Sequence, residues 1–301
     1  MANSNSVLNT ARKQKRDEFY TRICDIEKEV ESYKDLFADK IVLCNCNDAI
    51  HGDFKTYFER EFHNLKLKSL ICTAYDDKEN GIENGFMEEY NGTSWKRSYF
   101  NEKGDFRNDE MRKILSRCDI VATNPPFSLF REFLDVIINS NKKFLILGNM
   151  NTSVCKNTFQ YLIDNKIWFG VTNFNTGLFF EVQSDFEYAD TYNYNKFIND
   201  KQVSRVPSIT WFTNMEHYRR KIPLILTKKY DPLINKKYDN CNAINVNKVE
   251  DIPNDYYETI GVPITFIDKW NPKQFKIVGK LMTPIIEGKH IYKRLLIKRV
   301  V

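Results

Sequence analysis

Proline is missing from the first 124 residues of this 301-residue chain, and all nine prolines come later. A proline-free stretch can form unbroken helices and central strands, because proline removes a backbone donor and fixes φ. Histidine is scarce: His51, His63, His217 and His290 stand far apart, in no ligand-like cluster, so no metal site is expected. The seven cysteines (24, 44, 46, 72, 118, 155 and 241) are odd in number and lack Cys-x-x-Cys spacing. That pattern argues against a disulfide framework or a zinc ribbon and suits reduced thiols. No run approaches the roughly 20 apolar residues of a membrane span. Residues 1–16 are polar and basic without the apolar core of a secretory signal, so a cytoplasmic protein is expected. Hydrophobic residues make up 42% against 28% charged, enough to build a core and unlike a disordered chain. The length suits one large α/β domain, or a catalytic domain with a smaller appendage.

Net charge is +5, an excess compatible with nucleic acid that does not establish it. Basic residues crowd Arg12-Lys13-Lys15-Arg16, then Arg219-Arg220-Lys221 with Lys228-Lys229 and Lys236-Lys237, and the terminal Lys289, Lys293, Arg294, Lys298 and Arg299. Most lie beyond residue 215, which places a candidate phosphate-contacting region in the C-terminal part. Arg219, Arg220, Lys228 and Lys229 are its candidates, solvated surface charge being the alternative for each.

Apolar residues at Ile23, Ile26, Val30, Tyr33 and Phe37 predict an amphipathic helix over residues 18–38. Residues 40–44 read as a buried strand, Phe54, Phe58 and Phe62 as a helix, and residues 67–74 as a second strand. Residues 78–104, broken by Asn91-Gly92 and similar pairs, read as a loop and a hairpin flap. Helix 109–117, strand 120–123, a helix through Phe130 and Ile138, and strand 144–147 follow. Such alternation predicts an α/β fold with a mostly parallel sheet, whose ligands sit beyond the C-terminal strand ends. Residues 45–48, 76–77, 105–106 and 124–127 all fall at or just after such ends. Beyond residue 150 the texture changes to short β-like runs, such as 208–213 and 224–227, with frequent prolines. The expected organisation is a catalytic domain over 1–228 and a smaller α+β region over 229–301.

The most informative segment is Asp119-Ile-Val-Ala-Thr-Asn-Pro-Pro-Phe127, a strand that runs into an amide held by two prolines and an aromatic ring. Asn124 offers a side-chain carbonyl. Pro125 offers a backbone carbonyl that the rigid Pro125-Pro126 step directs, and Phe127 offers a stacking face. Two acceptors and one ring suit an exocyclic amine; a plain strand-ending turn is the alternative. The motif resembles the Asn-Pro-Pro-aromatic signature of amino-methyltransferases that use S-adenosylmethionine on adenine or cytosine amines and on protein glutamine.

Further segments extend the match. Phe19-Tyr20-Thr21, Val42-Leu-Cys-Asn-Cys-Asn-Asp48, Gly104-Asp-Phe-Arg107, Thr123 to Arg131, Gly261-Val-Pro-Ile-Thr-Phe266 and Asp268-Lys-Trp-Asn-Pro272 together resemble the EcoRI-type adenine-specific DNA methyltransferase family over roughly residues 17–280. The resemblance implies a Rossmann-like methyltransferase fold with a C-terminal target-recognition region. It implies S-adenosylmethionine as cofactor and double-stranded DNA as substrate, with no membrane or metal. One departure from the wider methyltransferase pattern concerns the turn after strand one, where residues 40–51 hold no glycine. The loop of Asn45 and Asp48 must therefore reach the cofactor by side chains or a different turn. Asp76 or Asp77 would hold the ribose hydroxyls, Asp105 and Phe106 the cofactor's adenine, and Phe19 and Tyr20 the methionine pocket; solvated turns and a hydrophobic staple remain the alternatives.

A target adenine would be flipped out of the duplex and stack on Phe127, with Trp168 or Phe169 either completing the pocket or packing in the core. Acceptors at Asn124 and Pro125 would favour a pyramidal N6, so that positioning dominates and no base acts before attack. The resemblance further suggests a bacterial or phage-encoded monomer and leaves open a cognate restriction endonuclease as partner. Two other readings stay open at this point: methylation of RNA adenine or protein glutamine, and a non-catalytic nucleic-acid-binding regulator.

Overall fold

The computed structural model describes residues 20–46, 49, 52–75, 84–172, 178–181, 196–198, 201–206 and 208–300. In chain order the strands are β1 (Tyr20–Thr21), β2 (Ile41–Cys44), β3 (Ser69–Ala74), β4 (Phe86–Tyr90), β5 (Trp95–Tyr99), β6 (Ile120–Thr123) and β7 (Lys143–Asn149). Then come β8 (Trp168–Phe169), β9 (Leu178–Glu181), β10 (Lys196–Ile198), β11 (Lys201–Val206), β12 (Ile209–Thr213), β13 (Lys237–Tyr238), β14 (Cys241–Asn245) and β15 (Ile260–Val262). Last are β16 (Phe275–Leu281), β17 (Ile285–Ile286), β18 (Lys289–His290) and β19 (Arg294–Arg299). The α-helices are α1 (Ile23–Val30), α2 (Asp53–Arg60), α3 (Asp109–Arg117), α4 (Phe130–Asn139) and α5 (Lys156–Ile163).

The described residues fall into two compact units, one from residue 20 to Asn149 together with Thr172–Met215, the other Met150–Val171 together with residues from Glu216 onward. The boundary expected near residue 228 falls inside the second of these. In the first unit the main sheet runs β5-β4-β3-β2-β6-β7-β12. β3, β2, β6 and β7 are mutually parallel, whereas β4, β5 and β12 join antiparallel. β3 is buried along its whole length, Ser69 and Thr73 included, as a central strand covered on both faces is. The hairpin expected as a flap extends the sheet instead: β4 pairs with β3 from Leu70↔Tyr90 to Ala74↔Phe86. Its turn is held by Asn91, whose Oδ1 accepts from the N–H groups of Thr93 and Ser94 at 3.0 and 2.9 Å.

The helices follow the apolar spacing. α2 buries Phe54, Tyr57 and Phe58, and Phe54 meets Trp211 of β12 edge-to-face at 5.9 Å. α4 buries Phe130, Phe133, Leu134 and Ile137. The helix expected over 18–38 is α-helical only to Val30 and continues as a 3-10 helix over Glu31–Phe37. Tyr33 and Phe37 stay buried, since spacings of three and four suit either winding and do not distinguish them. Buried Glu29 accepts from the Tyr33 hydroxyl at 2.9 Å and from the Thr172 N–H at 2.6 Å. A smaller sheet, β1-β9-β11-β10, completes this unit.

The second unit centres on a sheet ordered β13-β14-β15-β19-β16, with the β17-β18 hairpin beside it. Its core includes Ile244, Ile260, Phe266, Trp270, Phe275, Leu295 and Ile297. The β-like run expected at 224–227 forms no strand. The Leu224 N–H donates to Gln274 Oε1 at 2.7 Å and its carbonyl accepts from Gln274 Nε2 at 2.8 Å, so a side-chain amide replaces the ladder.

Gly148 in β7 lies against the Phe130 ring, where an added Cβ would come within 2.2 Å of it. Gly148→Ala is expected to destabilise the protein by about 1–3 kcal/mol through overpacking. Urea unfolding should show this, and Phe130→Leu added to Gly148→Ala should recover part of the loss.

Candidate active site

From β2 the chain passes to β3 on one side, while β6 takes the place on the other side. The gap between β2 and β6 is therefore the topological switch point, where open α/β sheets bind ligands beyond their strand ends. β2 and β6 pair through Val42↔Ile120 and Leu43↔Val121. One step further the ladder ends and a side chain takes over: the buried Thr123 hydroxyl donates to the Asn45 carbonyl at 2.6 Å. This ties together the loops after β2 and β6.

Asn45 is buried, and its Oδ1 has no hydrogen-bond partner among the described residues. Such an oxygen is costly unless a ligand supplies a donor. Cys46 follows at φ 63°, the left-handed region that ordinarily favours glycine. The glycine-free loop thus makes its sharp turn with a cysteine, and such backbone strain clusters at functional sites. Lys55 of α2 secures the same loop by donating to the Ala49 carbonyl at 3.0 Å while paired with Glu88 and seated 4.4 Å from the Trp95 ring. Burial raises the Glu88 pKa, yet hydrogen bonds from Lys55 and Arg97 outweigh it and leave the carboxyl below its ordinary value. Sequence reading missed Lys55, because Glu88 and Trp95 join it only through the hairpin.

At the end of β6, Asn124 is partly exposed and Pro125 buried, and the Leu129 N–H closes a turn onto the Pro126 carbonyl at 2.9 Å just before α4. The Phe127 ring meets Phe180 of β9 edge-to-face at 6.4 Å. Phe180 is paired with Thr21 of β1, so the small sheet carries Tyr20 and Thr21 toward the Asn-Pro-Pro-Phe turn. Thr21 is buried, with Oγ1 unpartnered among the described residues. Phe180 was missed for want of any motif; only an aromatic in an aromatic-rich stretch marked it. Trp168 and Phe169 pack inside the second unit, the core role that was one of their two readings.

Asp105 and Phe106 stand beside the end of β3. Gly104, at φ 78°, packs so close that a Cβ would approach the Ala74 carbonyl oxygen to 2.9 Å. Asp105 accepts from the Arg107 N–H at 2.9 Å, Nε at 2.8 Å and Nη2 at 2.6 Å, and these bonds hold its carboxyl below the ordinary range. Phe106 packs edge-to-face on Phe133 of α4 at 5.2 Å. Phe19, Asp48, Asp76 and Asp77 lie outside the described residues, as does the side chain of Tyr20.

The four basic candidates separate. Arg219 pairs with buried Asp268 at 2.9 Å and also donates to the Val171 carbonyl. Arg220, expected at a phosphate, is instead buried, with its guanidinium 3.6 Å from the Trp168 ring centroid and bonded to Asn165 at 2.6 Å. Burial pushes its pKa down to about 10, against the weaker opposing pull of Glu216. Hydrophobic surroundings and an amide claim this charge, so it is not presented to a partner. Lys228 and Lys229 are exposed.

A largely parallel sheet of this order, with an Asn-Pro-Pro-Phe turn at its switch point, is that of a Rossmann-like methyltransferase. The family model "Adenine-specific methyltransferase EcoRI" matches residues 7–299, and the chain belongs to that family. It is 41% identical to the Type II methyltransferase M.EcoRI of Escherichia coli over 98% of this chain and 97% of the relative. It is 38% identical to M.MgeORF184P of Mycoplasma genitalium, over 92% of this chain and 87% of that one. Against M.MpnI of Mycoplasma pneumoniae it is 36% identical, covering 92% and 86%. No solved structure matches it significantly. The chain is accordingly a site-specific DNA adenine methyltransferase. No helix among the described residues is long and apolar enough to cross a membrane.

Thr123→Val removes the donor to the Asn45 carbonyl while keeping the side chain's shape. It is expected to cost about 1–3 kcal/mol, the penalty of a buried acceptor left unmade. Denaturant unfolding reads the loss, and an unchanged midpoint would mean that the two loops are held by other contacts.

Proposed function

We propose that this methyltransferase takes its methyl group from S-adenosylmethionine and delivers it to N6 of an adenine flipped out of duplex DNA at a specific sequence. The reading is supported above all by the switch point, where Asn45 presents a buried oxygen without a partner among the described residues, one hydrogen bond away from the strand that delivers Asn124. When bound, the cofactor supplies an electrophilic methyl on a sulfonium. Asn45, Asp48 and the strained turn at Cys46 would hold its methionine end together with Phe19 and Tyr20. Asp76 or Asp77 would take the ribose, and Asp105 with Phe106 the adenine. Asp105 meets this role with the lone pairs that Arg107 leaves free.

The target base is gripped by this chain's own groups. Asn124 Oδ1 and the Pro125 carbonyl accept the two N6 protons, Pro126 fixes the carbonyl's direction, and Phe127 stacks on the ring with Phe180 bracing its edge. These acceptors draw the N6 lone pair out of conjugation and aim it at the methyl carbon. The bound cofactor would supply the methyl electrophile and Asn124 with Pro125 would hold N6 toward it, so orientation and preorganised acceptors supply most of the rate. The first unit then acts as the catalytic domain and the second, which contains residues 229–301, as the target-recognition region, with Lys228 and Lys229 on phosphates. Arg219 and Arg220 serve that region by holding it together. The enzyme, bacterial or phage-encoded, works as a monomer on one strand at a time in the cytoplasm.

Long-read sequencing of DNA from cells expressing wild type or Asn124→Ala tests this. N6-methyladenine in a recurring motif should appear with wild type only. In vitro, Asn124→Ala should lose roughly 10²–10³ in methyl-transfer rate, the scale of one preorganised polar contact in a reaction centre. Its affinity for S-adenosylmethionine should stay within a few-fold. Motif-free DNA from both samples, with cofactor still bound by purified protein, would overturn the DNA assignment.

A further inference from the structure

The turn after β2 is held from both flanks. On one side the Thr123 hydroxyl donates to the Asn45 carbonyl at 2.6 Å, and on the other the Lys55 ammonium of α2 donates to the Ala49 carbonyl at 3.0 Å. Between them lies Cys46, in the left-handed region at φ 63°. A residue other than glycine keeps such a conformation only where its surroundings over-determine it. The two carbonyl contacts come from different parts of the chain, β6 and α2, and Lys55 is itself fixed from a third.

That third part is the β4–β5 hairpin. Buried Glu88 of β4 pairs with Lys55 through Oε2, while its Oε1 accepts from Arg97 Nε at 3.0 Å and Nη2 at 2.7 Å. The Trp95 ring lies 4.4 Å from the ammonium, and Trp95 Nε1–H donates to Glu59 Oε1 at 2.7 Å, so the hairpin grips α2 at two positions one helical turn apart. A sheltered ion pair is a poor source of stability, because well-packed apolar side chains of like volume do as well or better. What this one supplies is direction: with a carboxylate and a ring beside it, the ammonium keeps a donor aimed at the loop. The same hairpin leads to the other end of the cleft. The Phe100 N–H donates to the Gly85 carbonyl at 2.9 Å and closes its base, and the chain then passes through Gly104, packed on the Ala74 carbonyl of β3, into Asp105 and Phe106.

We propose that Lys55 is a positioning residue for the methionine end of the cofactor: braced by Glu88 and Trp95, it fixes the loop of Asn45 and Cys46 through the Ala49 carbonyl. The inference rests on the S-adenosylmethionine reading above and adds the device that keeps the glycine-free turn in shape. Because Lys55 acts on that loop and not on Asp105 and Phe106, its removal weakens the grip on one end of the cofactor only.

Two ligands separate this role from a general structural one, both measured by calorimetry on the full chain. S-Adenosylhomocysteine carries the amino-acid moiety, whereas 5′-methylthioadenosine has the same adenosine and thioether and ends in a methyl group. Lys55→Met keeps the stem of the side chain and removes its donor. It should weaken S-adenosylhomocysteine binding about tenfold, the scale of one buried acceptor left unmade, and leave 5′-methylthioadenosine binding within about twofold. In methyl transfer, KM for S-adenosylmethionine should rise by a similar factor while kcat changes far less. Glu88→Gln removes the charge that orients Lys55 but leaves the Lys55 donor in place. It should show the same selectivity at smaller size, and it carries the test if Lys55→Met does not fold. An equal loss for both ligands, or a loss for neither, would overturn the proposal. If wild type binds neither S-adenosylhomocysteine nor S-adenosylmethionine, the cofactor reading itself fails; if it binds both and Lys55→Met binds S-adenosylhomocysteine as tightly as wild type, only the role of Lys55 fails.

Discussion

The hydrogen bond from the Thr123 hydroxyl to the Asn45 carbonyl is the constraint on which the candidate active-site edge depends. Parallel pairing between β2 and β6 stops before their last residues, and at that point two loops would otherwise diverge. A bond made wholly inside the core, where neither partner has water as an alternative, keeps them together. Asn45 is thereby tied to the residue that directly precedes Asn124. At the other end of the same strand pair, Asp119 Oδ2 accepts from the Ile41 N–H at 2.8 Å, so β2 and β6 are locked at both ends of their short ladder.

A second theme is the use of buried charge to hold irregular backbone. Glu29 accepts from the Thr172 N–H, Lys55 donates to the Ala49 carbonyl while held between Glu88 and Trp95, and Arg219 joins Asp268 to the Val171 carbonyl. Each group spends its charge on a segment that makes no ladder of its own, where an unpaired polar atom would cost more than the desolvation of the partner. Within the second unit, Arg220 lies on Trp168 in the same spirit, and burial holds nearby His217 neutral by pushing its pKa down to about 4. Basic residues in this chain are thus of two kinds, those that build the interior and those that remain exposed.

Much of the first unit was legible. Helix 109–117 and strand 120–123 coincide with their expected spans, and strand 40–44 with β2 to within a residue, because period and punctuation agree there. The hairpin's placement was not legible: alternation in Phe86–Tyr90 marks a strand but carries no information about which neighbour it will pair with. Residues 224–227 looked like a strand by composition, yet Gln274, some 50 residues away, satisfies that backbone. Arg219 and Arg220 looked like surface charge, since sequence cannot show that Trp168 and Asp268 would enclose them.

By itself the sequence determined the parallel-sheet class, the Asn-Pro-Pro-Phe turn at a strand end and the family, because these depend on local spacing and on the residue types themselves. Only the tertiary structure decided that Asn45 would be tied to the residue before Asn124 and that Phe180 would meet Phe127. Those outcomes depend on contacts between residues far apart in sequence, which exist only once the strand order has been chosen.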